Sequence, residues 1–272
     1  MTDTDSHTRP HSAETCTDIV LFDESSPVSA SYRRSCAERT FQFCGRELTF
    51  AQDLGDDVHQ PKAPGELGFG GIVRDAALAL ARYIEAHPGT VAGKNVLELG
   101  AGMGLVSTAC SLLGAARVVA TDGDAAVVEA CQRNIVRNLG VAAGGADKGG
   151  DGGGGGGGAR VLARVLRWGD EGAEEAVAPP FDVILAADIV CCVYEGAYVA
   201  LAGTLQRLCG KHAAVLLSYK RRHGSEERFF ELIEPRFRLE RVPCDDLHSD
   251  FQQPGCDITL FRLTPRISGS QT

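Results

Sequence analysis

Val96-Leu97-Glu98-Leu99-Gly100-Ala101-Gly102-Met103-Gly104-Leu105 decides how this chain folds. A short apolar run, Asn95–Leu99, ends in glycines spaced G-x-G-x-G, and an apolar helical pattern follows from about Leu105 to Leu113. A strand that runs into a glycine turn and then a helix is the opening unit of a doubly wound α/β sheet, where glycines let the backbone approach a ligand closely. Taken alone such a turn is weak evidence, because many α/β proteins need one for packing.

The pattern continues on both sides. Downstream, the spacing predicts strands over Arg117–Thr121, Arg160–Arg167, Asp182–Ala187 and Ala213–Ser218, and helices over Ala125–Leu139, Glu195–Leu208 and Ser225–Ile233. Asp182–Ala187 reads as apolar throughout, as a strand buried on both faces should be. Phe237–Pro243 and Asp257–Leu263 are two further strands with no helix-length segment between them, so they must run antiparallel to each other. Upstream, Asp75–Ala86 reads as a helix ended by Pro88-Gly89, and Phe41, Phe43, Leu48 and Phe50 alternate around Cys44-Gly45-Arg46 as a β-hairpin. Alternating βα units predict an α/β fold: a doubly wound, mostly parallel seven-stranded sheet with an antiparallel C-terminal strand and an N-terminal hairpin. The expected organisation is a flexible lead over 1–39, one domain over 40–266 and a tail over 267–272. A glycine-rich insertion at 141–159 carries seven consecutive glycines, Gly152 to Gly158. Such a run reads as a tolerated flexible loop rather than a lid.

Composition narrows the function. Lys and Arg number 27 against 36 Asp and Glu, a formal charge of −9, which argues against a dedicated nucleic-acid binder and suits a basic target. The ten cysteines include no C-x-x-C pair, so neither a zinc site nor a disulfide framework is indicated, and a reduced compartment is the simpler reading. The N-terminus lacks the apolar region of a signal peptide, and no run approaches the length of a membrane span. The expectation is a soluble, cytoplasmic protein, a nuclear fraction being compatible with the same features.

The residues around the glycine turn sharpen the ligand. Leu105 stands where the dinucleotide fingerprint G-x-G-x-x-G places its last glycine. Glu98, at the strand end, would repel a pyrophosphate but not the cationic end of S-adenosylmethionine. Asp122 follows Gly102 by twenty residues at the end of the next strand, placed to accept hydrogen bonds from two ribose hydroxyls; a helix N-cap is its plainer alternative. With these motifs the stretch Gly70–Pro243 resembles the family 16 methyltransferases, a seven-strand group rich in protein-lysine methyltransferases. The resemblance is carried by G-G-I-V-R-D-A-A-L (Gly70–Leu78), V-L-E-L-G-A-G-M-G-L (Val96–Leu105), Thr121-Asp122, R-W-G (Arg167–Gly169) and F-D-V-I-L-A-A-D-I-V (Phe181–Val190).

The resemblance implies an enzyme that takes a methyl group from S-adenosylmethionine and places it on a lysine side chain. Its members act on 70-kDa heat-shock chaperones, valosin-containing protein, calmodulin and elongation factor 1A, so a protein substrate of chaperone or translation-factor type is expected; charge and hydropathy add the expectation of no nucleic acid and no membrane, and the sequence leaves the oligomeric state open, with a monomer as the expectation. Gly100, Ala101 and Gly102 would line the cofactor, Asp122 hold its ribose, Trp168 lie beside the adenine and Ala187 pass its methionine portion. Position 74, tryptophan in the family, is Arg74 here, which either replaces the apolar contact or is a surface arginine. Asp188 matches the acid of a D-x-x-Y motif that faces the incoming amine, its alternative being a capping acid. This chain reads Asp188-Ile189-Val190-Cys191, so the aromatic is missing, and Tyr194 three residues on is a candidate to replace it.

Methyl transfer needs a neutral amine, whereas free lysine has a pKa of about 10.4, so removing its proton at neutral pH costs roughly 4–5 kcal/mol. A carboxylate alone would keep the amine charged. Asp188 is therefore expected to capture and orient, with burial beside the cationic sulfonium promoting proton loss, and no metal or covalent nucleophile is required. Two other readings stay open: a nicotinamide-type methyltransferase of small amines, and a catalytically impaired cofactor-binding adaptor.

Overall fold

The computed structural model describes residues 37–53, 67–140, 160–191, 196–221, 224 and 226–266. The expected lead up to residue 36, the 141–159 insertion, Tyr194 and the tail from 267 lie outside these residues. The hairpin pairs β1 (Glu38–Phe43) with β2 (Arg46–Ala51). Its two-residue turn, Cys44-Gly45, has positive φ at both positions, 52° and 71°, which matches the twist of the strands it joins. β1 begins two residues ahead of the expected start, because Glu38 and Arg39 face Ala51 and Phe50 across the ladder.

The main sheet holds seven strands: β3 (Asn95–Leu99), β4 (Arg117–Asp122), β5 (Arg160–Val165), β6 (Val183–Ala187), β7 (Ala214–Lys220), β8 (Phe237–Arg241) and β9 (Ile258–Pro265). Their order is β5-β4-β3-β6-β7-β9-β8, parallel except for β9, which runs antiparallel to both neighbours. Among the described residues six α-helices flank the sheet: α1 (Asp75–Ala86), α2 (Leu105–Leu112), α3 (Ala125–Leu139), α4 (Glu171–Ala176), α5 (Tyr198–Leu208) and α6 (Glu226–Ile233). The central strand β6 is apolar and buried throughout because both faces of the sheet are covered there, whereas the edge strands β5 and β8 carry exposed arginines. Val96, Val183 and Leu185 face the α1–α2–α3 layer, while Leu97, Leu99, Ile184 and Ala186 face the α4–α5–α6 layer. No helix among the described residues is long and apolar enough to cross a membrane.

The chain winds outward from β3 to β5 in one direction and from β6 to β7 in the other. The order therefore reverses between β3 and β6, and the crevice beyond their carboxyl ends is the place where doubly wound sheets hold ligands.

The hairpin is locked to the domain through α3. Asn138 exchanges two hydrogen bonds with the Thr49 backbone (2.8 and 2.9 Å), and Asn134 does the same with Ala51 (2.9 and 3.0 Å). Spaced four apart, the two asparagines share one helix face and satisfy an edge strand that has no neighbour on that side among the described residues. Asn134 Nδ2 also donates to the Met103 carbonyl at 3.1 Å, tying the hairpin to the glycine turn.

Candidate active site

At the switch point lies a cavity of about 380 Å³, within the range of small-molecule sites. Gly100 forms its floor with φ 69°, a left-handed conformation that costs glycine little. A Cβ on Gly100 would stand 2.4 Å from Ile189 Cγ2, so the turn can pass under the β6 end only as glycine. Gly104, φ 85°, enters α2 so close to α3 that a Cβ would lie 2.9 Å from the Cys131 Sγ.

Two carboxylates stand at the cavity wall. Glu98 is buried and accepts from the Ser107 N–H at 2.9 Å and from its hydroxyl at 2.5 Å. Burial pushes its carboxyl up to about 8, the Ser107 hydrogen bonds only partly offsetting this and the nearby Asp122 charge adding to it. Asp122 accepts from the backbone N–H of Gly102 (3.2 Å) and of Asp124 (3.3 Å). Burial raises its carboxyl as well, against the lowering effect of these backbone donors. The α3 N-cap is Asp124, whose carboxylate accepts from Ala126 at 2.9 Å, so the capping alternative for Asp122 does not hold. Met103, Leu105, Val127, Leu166 and Trp168 supply an apolar wall. Trp168 lines the cavity and also packs against the core on the α5 side.

Across the cavity, Asp188 ends β6 with φ 59°. Its N–H donates to the Ser218 carbonyl (2.8 Å), and its Oδ1 accepts the Lys220 N–H (3.3 Å). α5 begins behind Ala197 with no side-chain cap, so Asp188 braces β7 rather than capping that helix. Arg74 is not a surface arginine: its side chain is 21% exposed, with Nε 3.8 Å from Asp188 Oδ2. Its guanidinium donates to the Phe69 carbonyl (3.3 and 3.1 Å) and lies over the Phe69 ring at 5.1 Å.

Nine of the residues singled out in the sequence border this one cavity: Arg74, Glu98, Gly100, Ala101, Gly102, Asp122, Trp168, Ala187 and Asp188. Cys191 borders it too, where the resembled motif has tyrosine. Sequence reasoning missed Phe69, whose place in the G-F-G-G turn (Gly68–Gly71) was the available signal, and Ile189, which closes over Gly100.

A flat apolar wall, a carboxylate at the second strand's end and a second carboxylate beneath a glycine turn define a doubly wound enzyme for a nucleoside cofactor carrying a cationic end. This donor set fits S-adenosylmethionine, since hydroxyls and a cation would satisfy acids that burial otherwise drives toward neutrality. A model of the family described as lysine methyltransferase matches residues 56–236. The chain is 35% identical over 209 residues to the EEF1A lysine methyltransferase 3 of Mus musculus, covering 76% of each chain. It is 31% identical to the protein N-lysine methyltransferase METTL21A of Danio rerio, over 93% of this chain and 99% of that one. The chain belongs to the lysine methyltransferase family. It is a methyltransferase whose methyl donor is S-adenosylmethionine and whose acceptor is lysine.

Proposed function

We propose that the switch-point cavity is where this enzyme methylates a lysine side chain of a protein, and that each bordering residue has a distinct task. The observation that carries the reading is the convergence of residues from separate segments (the 74, 98–102, 122, 168 and 187–188 positions) on one cavity. Gly100, Ala101 and Gly102 give the cofactor its close backbone approach, Asp122 holds the ribose hydroxyls, Trp168 stands beside the adenine, and Glu98 faces the cationic amino-acid end. Ala187 and Arg74 complete the wall toward the methyl group. When bound, S-adenosylmethionine supplies an electrophilic methyl on a sulfonium. Asp188 captures the lysine amine and orients it; its carboxylate is fixed by the Lys220 N–H and its backbone by Ser218, so little rearrangement is needed on capture. Phe69, Ile189 and Cys191 keep water from the reacting end.

The acceptor is a folded protein of the chaperone or translation-factor kind, one relative being named for EEF1A. The enzyme works in a reducing compartment, the cytoplasm: the buried Cys110 and Cys131 are free thiols. Incubation with tritium-labelled S-adenosylmethionine and cell extract tests the reading. A labelled protein band that yields methyl-lysine on hydrolysis supports it. A labelled small molecule, or no label, overturns it.

A further inference from the structure

We propose that Arg74 acts through Asp188 to make the captured lysine easier to deprotonate, so that Arg74 is a positioning residue for the reaction; this rests on the assignment of Asp188 to amine capture. The difficulty it addresses is general: a carboxylate that attracts an ammonium also stabilises its proton, yet only the neutral amine can attack. Here the carboxylate is not alone. Arg74 Nε stands 3.8 Å from Asp188 Oδ2, and both groups are held in place. The guanidinium is anchored on the Phe69 carbonyl and ring, and Asp188 is fixed by the Lys220 and Ser218 backbones. An amine that reaches Asp188 therefore meets an acid whose charge is already opposed by a fixed cation one ion-pair distance away.

Among the described residues, the surrounding charges do not undo this balance. Lys220 Nζ lies 3.6 Å from Asp75 on α1, a pair that cancels itself. On the hairpin side Arg39 donates to the Val73 carbonyl at 2.7 Å and adds positive potential. Glu98, Asp122, Asp124, Arg167 and the Cys191 thiol border the same cavity and are common to every variant compared below. A fixed charge about 5–6 Å from the amine, at an effective dielectric of about 20, would lower its proton affinity by about two pH units, and solvent screening of the partly exposed Arg74 reduces this to about one to two. Each unit gives about tenfold more neutral amine at a fixed pH below the amine's own midpoint.

The test is the initial rate of tritium labelling at saturating S-adenosylmethionine from pH 6.5 to 10, using recombinant elongation factor 1A and, in parallel, a whole-cell protein extract. Arg74→Met should move the rate profile about one to two units toward high pH, with a loss of about 10–100-fold at pH 7 that closes near pH 10. It should also lower the acceptor concentration at half-saturation, since the unopposed Asp188 holds the ammonium more tightly. Arg74→Lys keeps the charge and should keep the wild-type midpoint. A packing role alone would lower the rate by one factor at every pH, and normalisation of each profile removes the effect of partly folded protein. Superimposable normalised profiles for Arg74→Met and wild type would overturn the proposal, as would an Arg74→Lys profile matching that of Arg74→Met. Undiminished labelling by Asp188→Asn would instead overturn the amine-capture assignment. A Met-induced shift that persists in the Asp188→Asn background would show that Arg74 does not work through that acid.

Discussion

The Asp122 carboxylate accepts the Gly102 backbone N–H at 3.2 Å, so the acid at the end of β4 braces the glycine turn that leaves β3. Asp122 is thus both a ligand for the ribose in the proposed site and a clamp on the backbone that approaches the cofactor. Asp122→Ala is expected to weaken S-adenosylmethionine binding by about 1.5–3 kcal/mol, the range for hydrogen bonds to a charged group. Asp122→Asn keeps an acceptor for Gly102 and should fall between alanine and wild type. Titration calorimetry reporting wild-type affinity in a folded Asp122→Ala protein would remove this residue from the site.

Glu98 makes a pH dependence whose sign can be worked out. Its carboxyl is raised to about 8 in the folded protein, against about 4.3 in an unfolded chain. Between these values the native state binds a proton that the unfolded state does not, so this group's contribution to stability is complete at low pH and fades as pH rises through about 8. A cationic ligand favours the ionised acid, so cofactor binding should release a proton below about pH 8. Calorimetry in two buffers of different ionisation enthalpy measures that proton directly. Glu98→Gln should lose the proton release and bind the cofactor more weakly, while its thermal midpoint falls less than the wild type's between pH 6 and 9. Equal proton release by both proteins would show that Glu98 does not sense the ligand.

β3, β4 and β6 were legible because each is a short, mostly apolar run with a glycine or an acid at its end, and they differ from expectation by at most a residue. Interactions distant in sequence set the remaining boundaries. β7 continues past Ser218 to Lys220 because Tyr219 and Lys220 pair with Thr259 and Ile258 of β9, and this extension carries the Lys220 N–H to Asp188. α4 went unread: E-G-A-E-E-A has six residues and no apolar stripe, and its one local signal is the Asp170 N-cap, which accepts from Ala173 at 3.0 Å. α5 starts at Tyr198, three residues later than the pattern suggests. In the candidate site, residue identity and strand-end position were enough to gather nine residues at one cavity. Spacing could not reveal that Arg74 reaches Asp188, because that depends on how the 67–74 turn is held by Gln52 and Asp53 of the hairpin.

Asn134 connects that hairpin to the cofactor turn, and its removal should be felt at both ends. Asn134→Ala leaves the Ala51 N–H and the Ala51 and Met103 carbonyls without this partner. At about 1–3 kcal/mol for a buried polar group left unsatisfied, with solvent reaching part of the edge, a loss of about 2–3 kcal/mol in unfolding free energy is expected. Cofactor affinity should fall as well, although Asn134 does not border the cavity. Asn138→Ala, which breaks only the Thr49 pair and one helix contact, should cost less stability and leave affinity alone. Urea unfolding with parallel calorimetry checks both; equal affinity losses in the two variants would mean that hairpin docking as a whole, rather than the Met103 link, supports the turn.

The missing aromatic of the D-x-x-Y motif gives the last expectation. Asp188→Asn keeps the side-chain shape and the acceptor for Lys220 but removes the charge. Turnover should fall by about 10² or more, as when a group aimed at the reacting centre is lost, while cofactor binding survives. Cys191 borders the cavity within three residues of that acid and is smaller than the tyrosine of the resembled motif, so the site has room on this side. A tyrosine there is expected to extend into the cavity that Cys191 borders, and overpacking penalties arise only where the space is already filled. Cys191→Tyr is therefore expected to fold with a nearly unchanged thermal midpoint and to hold or raise single-turnover methylation, since added packing around the amine restricts its motion. Combining Cys191→Tyr with Asp188→Asn separates the two contributions: if packing and charge act independently, the tyrosine changes the rate by the same factor in both backgrounds. A collapse of stability in Cys191→Tyr would show that the cysteine's small volume is required by the fold, and full turnover in Asp188→Asn would remove the acid from the reaction whatever stands at position 191.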